Sequence, residues 1–170
     1  MGLFDKKKKK IEIEEKRYTL YSIANGKTLP LEQVKDEMFS KKILGDGIAF
    51  ESLDGAVYAP CSGVISTVMD TGHALAITSA DGAEVLIHIG LDTVKEGGEG
   101  FTVHVSAGDK VNAGELIVTF DKKKLEKKGY DLVIPMIIIN GDEFPKHENL
   151  YEGTIQAGEP VVALSEITKV

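Results

Sequence analysis

The sequence holds 170 residues, of which 42% are hydrophobic and 28% are charged, and its formal net charge is −7. This length predicts one compact domain with its own core, and the composition excludes a chain that is disordered throughout. The longest apolar run, residues 133–139, is too short to span a bilayer, and the acidic balance argues against nucleic-acid binding. The single cysteine, Cys61, excludes a disulfide framework and is interpreted as a small buried hydrophobe.

Residues 1–17 are predicted to be a flexible charged tail, and residues 18–170 are predicted to form a single domain. Five consecutive lysines, residues 6–10, repel one another and favour a solvated chain. Together with Leu3 and Phe4, the same lysines also permit a second interpretation, a tether to an anionic membrane surface. No apolar segment of a secretory signal is present in this stretch, so we expect a cytoplasmic protein.

Short apolar segments separated by glycine, aspartate and asparagine predict many short strands joined by tight turns. No long helices alternate with them, which excludes a parallel α/β fold. The pattern favours an all-β fold, an antiparallel β-sandwich or partly closed barrel. The predicted strands are residues 48–50, 57–59, 63–69, 74–78, 84–89, 101–105, 116–120, 133–139 and 161–164.

Short helical segments and a weak internal repeat complete the predicted organisation. A helix is predicted over residues 122–128, between a capping aspartate and a terminating glycine, and a helical turn over residues 36–40. The segments that begin at Ala107 and Ala157 share a small-Gly-acid-x-Val pattern. This shared pattern suggests a domain built from two related halves.

Two of the four histidines, His73 and His88, flank one predicted hairpin whose turn contains Asp81-Gly82. A two-residue loop makes them diagonal neighbours about 7–8 Å apart, and a four-residue loop pairs them directly at about 4.5–5.5 Å. A loop with an odd number of residues would place the two rings on opposite faces. The apolar run around His88 favours a neutral imidazole that offers one nitrogen as a nucleophile or metal ligand. The alternative is that each histidine only caps a strand end through hydrogen bonds to the backbone.

Three blocks follow one another along the chain: Tyr58-Ala-Pro-Cys-Ser-Gly-Val-Ile65, Thr71-Gly-His73-Ala, and Gly82-Ala-Glu-Val-Leu-Ile-His88-Ile-Gly-Leu-Asp-Thr-Val94. They resemble motifs of the glucose-class enzyme IIA of the bacterial phosphoenolpyruvate:sugar phosphotransferase system, and the third is similar to its active-site signature. The resemblance extends from about residue 20 to the C-terminus. It implies an antiparallel β-sandwich of two related halves, which agrees with the strand pattern.

The resemblance implies a phosphocarrier. His88 would accept a phosphoryl group from the phosphohistidine of the carrier protein HPr and pass it to a cysteine of a IIB domain on the sugar permease. His73 would hydrogen-bond the phosphoryl oxygens, Thr71 would orient His73, and the carbonyl of Gly90 would hold the other ring nitrogen of His88. The family needs no cofactor for this transfer. We expect a monomer that meets the membrane through the permease, and the basic tail, in its interpretation as a tether, would add to this contact.

The resemblance also implies a docking surface for these partners around the two histidines. An apolar surface excludes water from a phosphohistidine, and acidic side chains at its edge face basic residues of the partners. The residues assigned to it are the apolar Phe39, Ile43, Leu44 and Val94 and the acidic Asp36 and Asp92. Asp36 has an equally simple interpretation as the cap of a helical turn.

Other functions share some of these features. The His-x-x-x-Asp spacing of His88 and Asp92 suggests a zinc peptidase, but the expected His-x-His partner is absent. The turn at Gly108 resembles turns of biotinyl or lipoyl carriers, but no lysine lies at the tip of a tight hairpin. In a third alternative, phosphorylation of His88 is only a regulatory signal. The expected phosphotransfer requires no metal, although His73 and His88 could bind zinc opportunistically.

Overall fold

A computed structural model describes residues 11–165, in which antiparallel β-strands predominate. The strands, numbered β1 to β14 in chain order, are Thr19–Tyr21, Gly26–Pro30, Asp46–Ser52, Ala56–Tyr58, Gly63–Val68, Ala74–Ser79, Glu84–His88, Phe101–Val103, Lys110–Val111, Leu116–Phe120, Ile134–Ile138, His147–Asn149, Gly153–Ile155 and Pro160–Leu164. The helices are α1, Glu37–Ser40, and α2, Lys122–Lys127, and 3₁₀ turns occupy Leu31–Gln33, Thr93–Glu96 and Gly141–Glu143. The predicted all-β antiparallel class is confirmed.

The strands form three sheets, and in the described part of the chain these do not close into a single barrel. The largest sheet has the order β13-β2-β3-β11-β7-β6-β5-β9, and the smaller ones have the orders β1-β14-β12 and β4-β10-β8. Strand β11 is apolar at every position because both of its faces are buried. One face carries Met136 into the main core, and the other carries Ile137 into a second cluster with Phe39 and Leu91. This second cluster lies on the side of the sheet that bears the candidate site.

Each predicted strand and both predicted helical segments correspond to observed elements. The caps are also as predicted, because Asp121 accepts the N–H of Lys124 and Asp36 accepts the N–H of Met38. Strands β1, β2, β9, β12 and β13 were not predicted. They are two to five residues long, and most are polar or interrupted by glycine, so they carry little periodic signal.

The two turns with the shared sequence pattern are built in the same way. In each, a backbone N–H donates to the carboxylate three residues later, from Ser106 to Asp109 and from Gln156 to Glu159. In each, the glycine just before that acidic residue donates its N–H to a backbone carbonyl of a distant segment. This equivalence supports the prediction of two related halves.

The predicted tail is only partly described. Residues 1–10, with the lysine run and the candidate membrane tether, lie outside the described residues. Residues 11–17 contact the domain: the N–H of Ile11 donates to the carbonyl of Gly114, and Glu15 accepts a backbone N–H. The division of the chain at residue 17 stays a prediction. Over residues 11–165, no helix combines the length and apolar character needed to cross a membrane.

Candidate functional site

The hairpin of β6 and β7 has a three-residue loop, residues 80–82, because the N–H of Ser79 bonds to the carbonyl of Ala83. The last loop residue is a glycine with φ of 91°, as three-residue hairpin loops require. The resulting register pairs Ala74 with His88 and lies between the two predicted registers. Of the three alternatives, the loop with an odd number of residues is therefore the one observed, and it is the one expected to place the two rings on opposite faces.

The rings of His73 and His88 nevertheless converge, with centroids 5.0 Å apart and planes at 82°. A regular strand in this register would place them on opposite faces of the sheet. His73, however, precedes the first residue of β6 and follows Gly72, whose φ of 71° turns the chain. The alternation of the strand does not extend to His73, which is why the two rings meet despite an odd loop length.

His88 is the last residue of β7, and its ring is held by the backbone that follows it. Its Nδ1 lies 2.8 Å from the carbonyl oxygen of Gly90. A carbonyl oxygen only accepts hydrogen bonds, so the proton of a neutral His88 lies on Nδ1 and the lone pair on Nε2. The ring of Phe39 packs 5.2 Å away and excludes water from one side. The half-buried imidazole therefore presents Nε2 as a nucleophilic atom.

Gly90 is in a position that only glycine can occupy without rearrangement. Its φ is 79°, and a Cβ atom there would lie 2.5 Å from Cγ2 of Thr93. Its N–H donates to the carbonyl of Val133 at 2.9 Å, which ties it to the segment before β11. The hydroxyl of Thr93 donates to the carbonyl of Ile89 at 2.5 Å and closes the same bend. These bonds hold the carbonyl that orients His88.

His73 is only 4% exposed, and its Nδ1 forms a hydrogen bond with the hydroxyl of Thr71. This hydrogen bond occupies Nδ1, so Nε2 is the ring nitrogen that remains for other interactions. The turn that carries both residues is closed by the N–H of Gly72, which donates to the carbonyl of Met69 at 2.8 Å. The three predicted residues Thr71, His73 and His88 thus form one cluster with Gly90.

Both histidines favour the neutral form. Burial lowers the pKa of His73, and the nearby His88 lowers it further. Burial also lowers the pKa of His88, and this effect outweighs the opposing influence of the Gly90 carbonyl, Asp36 and Asp92. The pair is therefore uncharged at neutral pH, with the lone pair of His88 Nε2 available.

The apolar residues assigned to docking differ in exposure. Ile43, Leu44 and Val94 are exposed. Phe39 is buried, so it forms the floor beneath His88 and does not lie on the surface itself. Ile43 lies four residues after Phe39 and Val94 six residues after His88 along the chain.

The acidic residues Asp36 and Asp92 both influence His88 electrostatically. Asp36 caps α1, as one of its two interpretations predicted. Asp92 adopts a φ of 61° just before the 3₁₀ turn Thr93–Glu96, and its carbonyl accepts the N–H of Lys95. Their carboxylates are exposed or partly exposed on the side of the histidine pair.

Two exposed methionines, Met38 and Met69, lie next to residues of the site, and sequence analysis did not assign either of them to the docking surface. Met38 lies in α1 next to Phe39, and Met69 lies in the turn that carries Thr71 and His73. Their only sequence signal is their spacing from these residues, and methionine is adaptable in apolar contacts.

The remaining candidates take no part in the cluster. His104 bonds to the Thr119 hydroxyl and His147 to the side chain of Asn149. Cys61 is buried, and burial raises its thiol pKa, as the interpretation of a structural residue predicted. Among residues 11–165, no group of three or more His, Cys, Asp or Glu side chains is arranged to hold a metal. Opportunistic zinc binding by the two histidines stays a prediction.

Comparisons with known proteins agree with the motif resemblance. The family model described as phosphoenolpyruvate-dependent sugar phosphotransferase system, EIIA 1, matches residues 18–144. A PTS system glucose-specific EIIA component of Halalkalibacterium halodurans is 41% identical over 155 residues, which cover 91% of this chain and 90% of that protein. The solved structure of glucose permease IIA from Mycoplasma capricolum is 33% identical, with a TM-score of 0.79 and coverage of 89% of this chain and 98% of that one.

A longer relative shows the same similarity in a different context. The PTS system beta-glucoside-specific EIIBCA component of Bacillus subtilis is 41% identical over 152 residues. The match covers 89% of this chain but 25% of that protein. The chain therefore spans about a quarter of this longer relative and nearly all of the EIIA component above.

Proposed function

The chain belongs to the EIIA family of the phosphoenolpyruvate-dependent sugar phosphotransferase system, and we propose that it carries phosphoryl groups on His88. The donor is phospho-HPr, and the acceptor is a cysteine of a IIB domain that serves a sugar permease. One observation supports this assignment above the others: Nδ1 of His88 bonds to the carbonyl of Gly90 and leaves the lone pair on Nε2.

In the first step, Nε2 of His88 attacks the phosphorus atom of phospho-HPr. A bond between Nε2 and phosphorus forms while the nitrogen–phosphorus bond of the donor breaks, and its electron pair leaves with the donor imidazole. The proton on Nδ1 of His88 stays in place. The carbonyl of Gly90 accepts its hydrogen bond and stabilises the positive charge that the ring gains.

His73 supplies a hydrogen bond to the transferred group. When the Thr71 hydroxyl donates to Nδ1, the proton of neutral His73 lies on Nε2 and is available to a phosphoryl oxygen. The centroids of the two imidazole rings lie 5.0 Å apart, which supports this role. A neutral donor suits a reversible carrier, because a permanent cation would bind the phosphorylated state too tightly.

In the second step, a cysteine thiolate of a IIB domain attacks the phosphorus atom. A sulfur–phosphorus bond forms, the bond from phosphorus to Nε2 breaks, and its electron pair returns to His88. The name of the Bacillus subtilis relative, EIIBCA, joins an A component to B and C components, which supports a IIB permease partner. We expect this exchange on the cytoplasmic side of the membrane.

The surface around His88 suits the docking of both partners. The exposed Ile43, Leu44 and Val94 provide apolar contact area that excludes water during transfer. Asp36 and Asp92 provide negative charge that steers basic partner surfaces toward the site.

The test is phosphorylation of the purified chain with phosphoenolpyruvate, enzyme I and HPr, followed by intact mass measurement. We expect a gain of one phosphoryl group that acid removes and alkali preserves. His88→Ala abolishes the gain, because the only nucleophilic atom of the site is lost.

His147→Ala is the matched control, since this histidine bonds only Asn149 on another part of the surface. It accepts the group like the wild type. Phosphorylation of the His88→Ala protein at the wild-type rate, or no mass gain in the wild type, would contradict the proposed function.

A further inference from the structure

Glu96 is a charged residue close to the candidate site that the proposed transfer does not use. It ends the 3₁₀ turn Thr93–Glu96, which follows Asp92 and contains Val94. Its side chain is 10% exposed, whereas that of Glu99, in the same loop, is 63% exposed. A carboxylate with so little exposure needs partners that replace its lost water.

The partners of Glu96 come from the segment that follows α2. Oε1 accepts a hydrogen bond from Nζ of Lys128 at 2.6 Å, and Oε2 accepts one from the hydroxyl of Tyr130 at 2.6 Å. These bonds lower the pKa of Glu96 and raise that of Tyr130, so the acceptor stays ionised and the donor stays protonated. Charge-assisted bonds of this length are among the stronger polar contacts in proteins.

The same segment also supports the backbone beneath His88. The N–H of Leu91 donates to the carbonyl of Asp131, and the N–H of Gly90 donates to the carbonyl of Val133, both at 2.9 Å. The loop from residue 90 to residue 96 is therefore attached to residues 128–133 at both ends. Glu96 provides the attachment at the end remote from His88.

Two of the residues assigned to partner docking lie between these two attachments. Asp92 and Val94 are exposed, and within the 3₁₀ turn the N–H of Lys95 bonds only to the Asp92 carbonyl at 3.1 Å. A turn of this length has weak internal bonding and depends on its ends for a fixed shape. Thr93, between Asp92 and Val94, is buried and bonded to the Ile89 carbonyl. Loss of the Glu96 attachment would therefore loosen the part of the turn after Thr93, which contains Val94, more than Asp92.

We propose that Glu96 is a positioning residue for phosphoryl transfer, which holds Val94 and the turn after Asp92 in the orientation that the phosphoryl donor recognises. This inference rests on the proposed function of His88. Glu96 touches neither the reacting nitrogen nor its hydrogen-bond partners. It acts through the fixed shape of the loop, so its contribution lies in partner binding more than in the chemical step.

The test compares Glu96→Ala with Glu99→Ala, which removes an equal charge from the same loop. Glu99 bonds Lys124 at 2.6 Å but is largely exposed, so its loss should matter little. In the Glu96→Ala protein we expect the KM for phospho-HPr to rise roughly tenfold, with a much smaller change in the maximal rate. Tyr130→Phe keeps the ring, removes one of the two bonds, and gives a smaller rise in KM.

A second measurement is independent of activity. Hydrogen exchange at the amides of Lys95 and Gly97 reports whether the turn keeps its shape, and we expect faster exchange in Glu96→Ala and Tyr130→Phe but not in Glu99→Ala. Wild-type KM and wild-type exchange in Glu96→Ala would overturn the inference. If Glu96→Ala fails to fold, wild-type KM and wild-type exchange in Tyr130→Phe would overturn the inference. Absence of phosphorylation in the wild type would instead overturn the proposed function.

Discussion

The hairpin of β6 and β7 has polar side chains at both ends, and the two ends use them differently. At the turn, both carboxylate oxygens of Asp81 accept bonds, one from Nε of Arg17 at 3.1 Å and one from the N–H of Tyr18 at 2.7 Å. At the open end, His88 uses Nδ1 for a bond to Gly90 and keeps the lone pair of Nε2. At the turn end, both acceptor oxygens bond within the fold, whereas the open end leaves unbonded the ring nitrogen to which we assign phosphoryl transfer.

The difference shows how one regular element can serve stability and function together. Asn140 also stabilises the turn end, since it accepts the N–H of Glu84 and donates to the carbonyl of Gly82. With one end fixed in this way, the strands deliver His88 to a defined place at the other. Side chains that stabilise a fold and side chains that react can then be altered separately.

After His88→Ala, which abolishes phosphorylation, the largest effect is expected from His73→Ala, which alters only the open end. The phosphoryl group loses the N–H donor of His73, so we expect the rate of acceptance from phospho-HPr to fall about a hundredfold. Rapid-quench kinetics measure this rate. His73→Gln retains an N–H donor in a similar volume and is expected to keep part of the activity. A wild-type rate in His73→Ala would exclude the proposed role of this residue.

A smaller effect, on stability and not on phosphoryl acceptance, is expected from Asp81→Ala at the turn end. The bonds to Arg17 and Tyr18 are lost, and the free energy of unfolding should fall by about 1–2 kcal/mol while phosphoryl acceptance stays unchanged. Urea unfolding and the mass assay measure the two properties. Asp142→Ala, in the exposed 3₁₀ turn Gly141–Glu143, is the matched control and should change neither. A slower acceptance at unchanged stability would show that the two ends are not separable.

The smallest effect is expected from a fall in pH, which lowers the stability through the two neutral histidines. Because the pKa values of His73 and His88 are lowered from 6.5 in the folded protein, the unfolded chain takes up protons first as the pH falls. Their contribution to stability is complete above pH 6.5 and is lost progressively below it. Urea unfolding above and below this pH should give a smaller loss for the double variant His73→Gln, His88→Gln than for the wild type. An equal loss in both would contradict burial as the cause of the shifts.

Much of the fold could be predicted because its longer strands carry a strong apolar pattern. The strand β10 was predicted with its observed limits, and the helix α2 followed from its capping Asp121. The short strands at the sheet edges could not be predicted, since two to five residues show no reliable period. Their place is set by pairing with distant strands, such as β13 with β2.

The site was predicted in its members but not in its geometry. The motif resemblance singled out His73, His88, Thr71 and Gly90, which the structure brings together. The loop length could not be derived, because the bond between the Ser79 hydroxyl and the N–H of Ala83 helps to select a three-residue loop over the alternatives.

No pattern in the sequence indicated a positioning role for Glu96. Its partners lie 32 and 34 residues away, and a glutamate in a glycine-rich loop ordinarily indicates a solvated turn. Only the fold shows that its charge is enclosed. Residues of this kind, which act through distant contacts, are the ones that local pattern cannot reveal.

The hydrogen bond from His88 to Gly90 has a consequence for the regiochemistry of the proposed product. Histidine can carry phosphorus on either ring nitrogen, and the two isomers differ in chemical stability and in their nuclear magnetic resonance spectra. Here Nδ1 is covered by a carbonyl whose own peptide group is fixed to Asp131 through the N–H of Leu91, so the proposed transfer forms the Nε2 isomer. The identity of the phosphohistidine isomer is thus determined by the main chain of a glycine.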